Sequence, residues 1–296
     1  MVSYMKFDKK KFIIYLVLAF VIGWAIQLVA SMFALQGNTV MFQALVSFTM
    51  FAPLVAALIA RAGVKKVGWK PQIKKNFKMY LICIAVPVVT TVAGAALFYL
   101  VMPGRLDLSG SYLVATLGET AYQQMVDAGI TPVLYVAIGI VQSVTFAPVL
   151  NMFFAVGEEA GWRGVMYPML KDRYGTTKGR VIGGIIWGAW HWPIMVLAGY
   201  EYGLVYWGAP FFGMALFCVC CVVLGIILDW TYEKTNSIWA PSLAHGAFNA
   251  AATVPIILLN VDYINQQIIG PAPVGLIGMI PMAVFVVLVC RKTTNS

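Results

Sequence analysis

Charge is what this sequence most lacks. Of 296 residues, 10% are Asp, Glu, Lys or Arg and 61% are hydrophobic, against about 25% charged and roughly 45–50% apolar in an ordinary soluble domain. So little charge cannot cover a water-exposed surface of this size, which excludes a soluble globular protein. Cysteine is sparse and unpatterned. Cys83, Cys218, Cys220, Cys221 and Cys290 are odd in number, lie in apolar runs and form no CxxC pair, so they read as small buried hydrophobes rather than a disulfide or zinc framework. The chain also lacks a G-x-S-x-G elbow, an H-E-x-x-H helix, internal repeats and low-complexity tracts. Their absence argues against an acyl-enzyme serine site and against zinc ligands placed by helix spacing alone.

Long apolar runs are abundant. A spanning helix needs about 20 apolar residues, and eight stretches qualify: 12–35, 40–60, 78–101, 132–156, 181–199, 209–228, 237–259 and 273–290. The expected fold is an all-α polytopic membrane protein of about eight transmembrane helices, one integral membrane domain over residues 1–296. The first run follows Lys9, Lys10 and Lys11 and is too long for a signal-peptide core, so it is expected to be retained as the first helix.

The net charge of +9 does not point to nucleic acid. The basic residues sit between apolar runs, as juxtamembrane charge does. Threading eight spans from a cytoplasmic N-terminus puts Lys6–Lys11, the 61–78 and 171–180 segments, Lys234, Arg291 and Lys292 on one side and leaves only Arg105 on the other. Both termini are therefore expected in the cytoplasm of a cell-membrane protein. Residues 65–78, basic with Trp69 and Phe77 interleaved, read as an interfacial helix on anionic lipid. Residues 104–130 read as a partly helical outer cap.

Ionisable groups inside spans cost roughly 2.5–3.5 kcal/mol each and are functional candidates by default. Glu158, Glu159 and Arg163 close the fourth run, and the chain's two histidines, His191 and His245, fall in apolar helical sequence. Residues four apart share a helix face, so Glu159 can pair with Arg163, Trp187 can lie over His191, and His245 can point with Asn249. Neutralising Glu159 leaves Glu158 available as a general base near neutral pH. Amide hydrolysis needs an activated water and donors for the developing oxyanion. Glu158 and His191 can supply the first, His245 and Asn249 the second. No cofactor is required on this reading. The rival is a zinc site from Glu158, His191 and His245, with the second glutamate as base.

Taken together, Glu158-Glu159-xxx-Arg163, Trp187-xxx-His191 and His245-xxx-Asn249 resemble the EExxxR, FxxxH and HxxxN motifs of the CAAX protease and bacteriocin-processing (CPBP, or Abi) family, which includes the Ras and a-factor converting enzyme. One position departs: Trp187 stands where the family commonly has Phe. The resemblance covers about residues 150–250, the expected catalytic core. It implies an eight-helix CAAX-protease-like bundle and a glutamate-type intramembrane endopeptidase whose site opens toward the cytoplasm. Its substrate would be a peptide or protein tail, prenylated in CAAX processing, or a small secreted peptide in maturation; immunity against a bacteriocin is a further family role. Membrane lipids are the other expected partners, nucleic acid is not. Two readings from other classes stand beside it: a non-hydrolytic membrane receptor or immunity protein, and a transporter, although no repeated halves are seen. Trp162, Trp190 and Trp192 read as membrane-interface anchors, and Pro148, Pro193 and Pro241 as kinks flanking the motifs.

Overall fold

The computed structural model describes residues 5–294; the extreme ends, 1–4 and 295–296, lie outside the described residues. The chain runs α1 (Lys9–Leu35), α2 (Thr39–Thr49), α3 (Ala52–Ile59), α4 (Ile73–Val101), α5 (Ser111–Leu117), α6 (Glu119–Asp127), α7 (Pro132–Val144) and α8 (Ala147–Gly161). A π-helical turn, Trp162–Met166, leads into α9 (Tyr167–Tyr174), α10 (Thr176–Trp190), α11 (Trp192–Ala198), α12 (Phe211–Thr235), α13 (Trp239–Ala251) and α14 (Ile280–Thr294). Among the described residues the only strand-like pairing is one isolated bridge, Leu106 to Leu259.

Apolar all-round composition makes the long helices, and the surrounding hydrocarbon is what their outer faces meet. On α1, Val17, Val21, Leu28 and Met32 are exposed while Tyr15, Ala19, Gly23 and Gln27 are buried. Among the described residues, five helical stretches are long and apolar enough to cross a membrane: 9–35, 39–59, 73–101, 176–198 and 211–235. The pair α6 and α7, bent by 83°, makes a sixth if taken as one span. This differs from the eight expected spans. The run 132–156 is broken at Thr145, between α7 and α8. The run 237–259 ends as helix at Ala251 and continues as a 3₁₀ turn, Val254–Leu258, behind Pro255. The last run becomes helical only at Ile280, after a chain of turns. Segments buried among other helices need not be continuous, because protein rather than lipid satisfies their backbone.

The expected interfacial helix at 65–78 is not a separate element. Residues 64–66 form a 3₁₀ turn, and the basic stretch from Ile73 is the first turn of α4. The cap at 104–130 does contain two short helices, α5 and α6. Pro148 and Pro193 occupy the first turns of α8 and α11, and Pro241 that of α13, where a missing N–H costs nothing. They start helices rather than kink them.

The two ends of the bundle are distinct. At one, Ile238 N–H donates to Gly68 O (3.0 Å), Trp239 Nε1–H to Trp69 O (2.7 Å) and Phe7 N–H to Asp172 Oδ2 (2.8 Å). This end carries the lysines at 65–78. At the other, Asp107 N–H donates to Leu258 O and Asn260 N–H to Arg105 O, both at 2.9 Å, tying the cap to the segment after α13. Between them α8 packs directly on α13. A Cβ at Gly246 would lie 2.4 Å from Pro148 O, so only glycine lets these helices approach beside His245.

Candidate active site

Glu158 and Glu159 sit on the last turn of α8, both buried. Glu158 Oε2 accepts from two indoles, Trp187 Nε1–H at 2.6 Å and Trp162 Nε1–H at 3.2 Å. Glu159 Oε1 accepts from Arg163 Nη1 at 3.0 Å and faces His245 Nδ1 at 2.8 Å. The Glu159–Arg163 pair formed by i, i+4 spacing is thus present, and it reaches further, to a histidine on α13. Arg163, fully buried in the π-turn, lies over the Trp187 ring at 4.0 Å from its centroid, a desolvated cation–π contact. Single π-turns recur at functional sites, where they re-aim a side chain without ending the helix.

His191 stands at the break between α10 and α11. Gln27 Nε2 (2.9 Å) and Trp24 Nε1 (3.1 Å), both from α1, donate to the Trp190 carbonyl, which braces the break. His191 Nδ1 lies 2.9 Å from Trp187 O. A carbonyl only accepts, so Nδ1 carries the proton and Nε2 of the neutral ring is left as an acceptor. The ring is held edge-on by Trp190 (4.9 Å) and Phe217 (5.0 Å) and stacks with Tyr200 (6.2 Å, 7° between planes).

Trp187 is the hub. Besides Glu158 and Arg163, it meets the His191 ring at 6.1 Å and the His245 ring at 5.4 Å. Glu158, His191, His245 and Asn249 all line one cavity of about 560 Å³, with Asn249 exposed into it. Its walls reach Gln43 and Ser47 of α2, Tyr112 of the cap, Glu201 and Gln267. The four sequence-picked residues are therefore brought together, and Glu159, Arg163 and Trp187 form the buried layer behind them.

Sequence reasoning missed several members. Trp162 and Trp190 are fully buried and touch the site, so they are not interface anchors. For Trp162 the signal was available, since it is four residues from Glu158. Gln27, Tyr200, Phe217 and Glu201 arrive by long-range packing and carry no local signal. Among the described residues no three or more His, Cys, Asp or Glu side chains are gathered as a metal ion would require.

Comparison with known proteins agrees with the motifs. Residues 140–251 match the family described as type II CAAX prenyl endopeptidase, Rce1-like. A curated relative, CAAX prenyl protease 2 of Methanococcus maripaludis, is 34% identical over 101 residues, which are 32% of this chain and 35% of that protein. The matched region is thus about one third of that relative's length. Residues 140–251 are therefore similar to the Rce1-like family, in agreement with the resemblance drawn from the three motifs.

Proposed function

We propose that this protein is an intramembrane endopeptidase of glutamate type, with residues 150–250 as its catalytic core within one membrane domain. The observation that carries the reading is the convergence of Glu158, His191, His245 and Asn249 on one cavity. Both indole donors fall on Glu158 Oε2, leaving Oε1 for a water molecule. Glu158 takes one proton from that water, and His191 Nε2 accepts a hydrogen bond from its other O–H. The hydroxide attacks the scissile carbonyl carbon. Asn249 Nδ2–H and His245 Nε2–H donate to the oxyanion. Because His245 Nδ1 already serves Glu159, its Nε2 can donate only when the ring is doubly protonated, with Glu159 as counter-charge. Collapse breaks the C–N bond, Glu158 returns its proton to the leaving amine, and a carboxylic acid and an amine result, which ionise to carboxylate and ammonium.

The water is activated here without zinc. Metal analysis of protein purified without chelator tests this, and a stoichiometric ion would replace the assignment with the Glu158, His191 and His245 ligand set. The name of the Methanococcus maripaludis relative supports a prenylated CAAX tail as substrate; a non-prenylated peptide to be matured is the other outcome of the substrate test.

Access is proposed from the end that carries the 104–130 cap, because Tyr112, Glu201 and Gln267 line the cavity there. The positive-inside rule makes the lysine-rich end cytoplasmic, so this opening faces the other side. It departs from the cytoplasmic opening implied by the resemblance, which would require the reverse orientation. Comparative proteomics of membranes carrying wild type or Glu158→Gln tests the function: an uncleaved peptide accumulating with the variant supports it, and identical peptide profiles refute it.

A further inference from the structure

Glu201 is a second carboxylate on the catalytic cavity, and hydrolysis as derived above does not use it. It lies on the turn after α11, lining the same space as Glu158, His191, His245 and Asn249. Its backbone has φ +71°, a left-handed conformation that disfavours a long side chain and belongs more naturally to Gly or Asn. Strained residues of this kind persist where the surroundings fix them, and they concentrate at functional sites. The surroundings do fix this one. Gly199 and Gly203, at φ +67° and +76°, flank it, and Gly203 N–H donates to Gly199 O at 2.8 Å. Tyr200 stacks on His191, and the buried Tyr202 donates its hydroxyl to Val274 O at 2.8 Å. The turn that presents Glu201 is therefore tied to the catalytic histidine itself.

The charge around it is one-sided. Among the described residues that line the cavity there is no Lys or Arg. Arg163, the nearest motif cation, is fully buried behind the wall and paired with Glu159. The one cation the mechanism puts on this cavity, doubly protonated His245, is held by Glu159 and turned to the oxyanion. A substrate carboxylate beside Glu201 therefore meets like charge, whereas an ammonium or guanidinium group finds a carboxylate partnered, among the described residues, by the Tyr200 hydroxyl alone. Burial pushes that carboxyl up to about 7 against the Tyr200 hydrogen bond, and a substrate cation favours its ionised form.

Resting on the endopeptidase reading, we propose that Glu201 is a specificity-determining residue that selects substrates with a Lys or Arg side chain close to the scissile bond. The contact is a charge-assisted hydrogen bond from the substrate ammonium or guanidinium to the Glu201 carboxylate, made beside the attacking water and separate from it.

The test uses the full-length protein in lipid nanodiscs and short fluorescein-labelled peptides that differ only in carrying Lys, Gln or Glu beside the candidate bond. Binding to the Glu158→Gln protein is read by anisotropy, and cleavage by wild type as kcat/KM. The Lys peptide is expected to bind and to be cleaved about tenfold better than the Glu peptide, with the difference in KM. Glu201→Gln abolishes the preference, and Glu201→Lys inverts it, which mere damage to the fold would not do. Equal treatment of the three peptides, absence of binding, or a preference that survives Glu201→Gln overturns the proposal. Charge-selective binding through Glu201 without cleavage by wild type upholds the selectivity and defeats the endopeptidase reading; cleavage without charge preference does the reverse.

Discussion

The Trp187 indole N–H donates to Glu158 Oε2 at 2.6 Å, a hydrogen bond that the phenylalanine common at this motif position cannot make. It fixes the orientation of the proposed base, and the same ring contacts Arg163 and both histidines. Hydrogen bonds to charged groups contribute about 1.5–3 kcal/mol. Trp187→Phe removes the donor and leaves a smaller ring in a buried site, so kcat should fall by about tenfold or more and the thermal midpoint of the detergent-solubilised protein should fall as well. Unchanged kcat on a cleaved peptide would reduce Trp187 to packing.

The cavity should open on the end opposite the lysines. Single cysteines at Gln267 and at Lys74, in a background with the native cysteines replaced, should react with a membrane-impermeant maleimide from opposite sides, Gln267 from outside intact cells. Labelling of Lys74→Cys from outside, with Gln267→Cys protected, would invert the orientation and restore a cytoplasmic opening.

How much of this was legible in the sequence follows from the range of each interaction. The Glu159–Arg163 pair and the shared facing of His245 and Asn249 follow from helix geometry within four residues. Trp162 obeyed the same rule toward Glu158, yet tryptophan in an apolar chain reads first as an interface residue. What the sequence could not show is contact between distant segments: Gln27 reaching the Trp190 carbonyl, or Tyr200 stacking on His191. The span count departed for a related reason. Hydropathy reports apolar length, while breaks at Thr145 and after Ala251 depend on which partners satisfy the backbone.

A second buried charge cluster pins α9 and α10 to α12. Asp229, fully buried, accepts from Lys171 Nζ at 2.7 and 2.9 Å and from Arg180 Nε at 2.6 Å, and Glu233 completes the group. Breaking a buried pair by removing one charge costs about 3–5 kcal/mol. Asp229→Asn should therefore lower the unfolding midpoint clearly, and Glu233→Gln, half-buried, less so. Equal midpoints for Asp229→Asn and wild type would show that solvent reaches the cluster.

Acid should loosen the cap. Burial opposes ionisation of Asp107, but hydrogen bonds from Ser109 and Ser111 outweigh it and bring its carboxyl down to about 2. A folded value below the ordinary 3.8 means that the stabilisation is present above that ordinary value and is lost as pH falls through the folded one. Exchange of the Ser109 and Ser111 amides, which donate to Asp107 at 2.7 and 2.8 Å, should lose protection between about pH 4 and 2. Asp107→Asn should shift or remove this transition; an identical transition in that variant would assign it elsewhere.

The central claim is that Glu158 activates a water that cuts a peptide bond in this cavity. Its most direct measurement is hydrolysis of an identified substrate by purified protein in ¹⁸O-labelled water, with mass analysis of both fragments. Wild type should place one labelled oxygen in the new C-terminal carboxylate, and Glu158→Gln, folded and still binding the peptide, should release no fragment above background. Cleavage by Glu158→Gln at the wild-type rate would contradict the account.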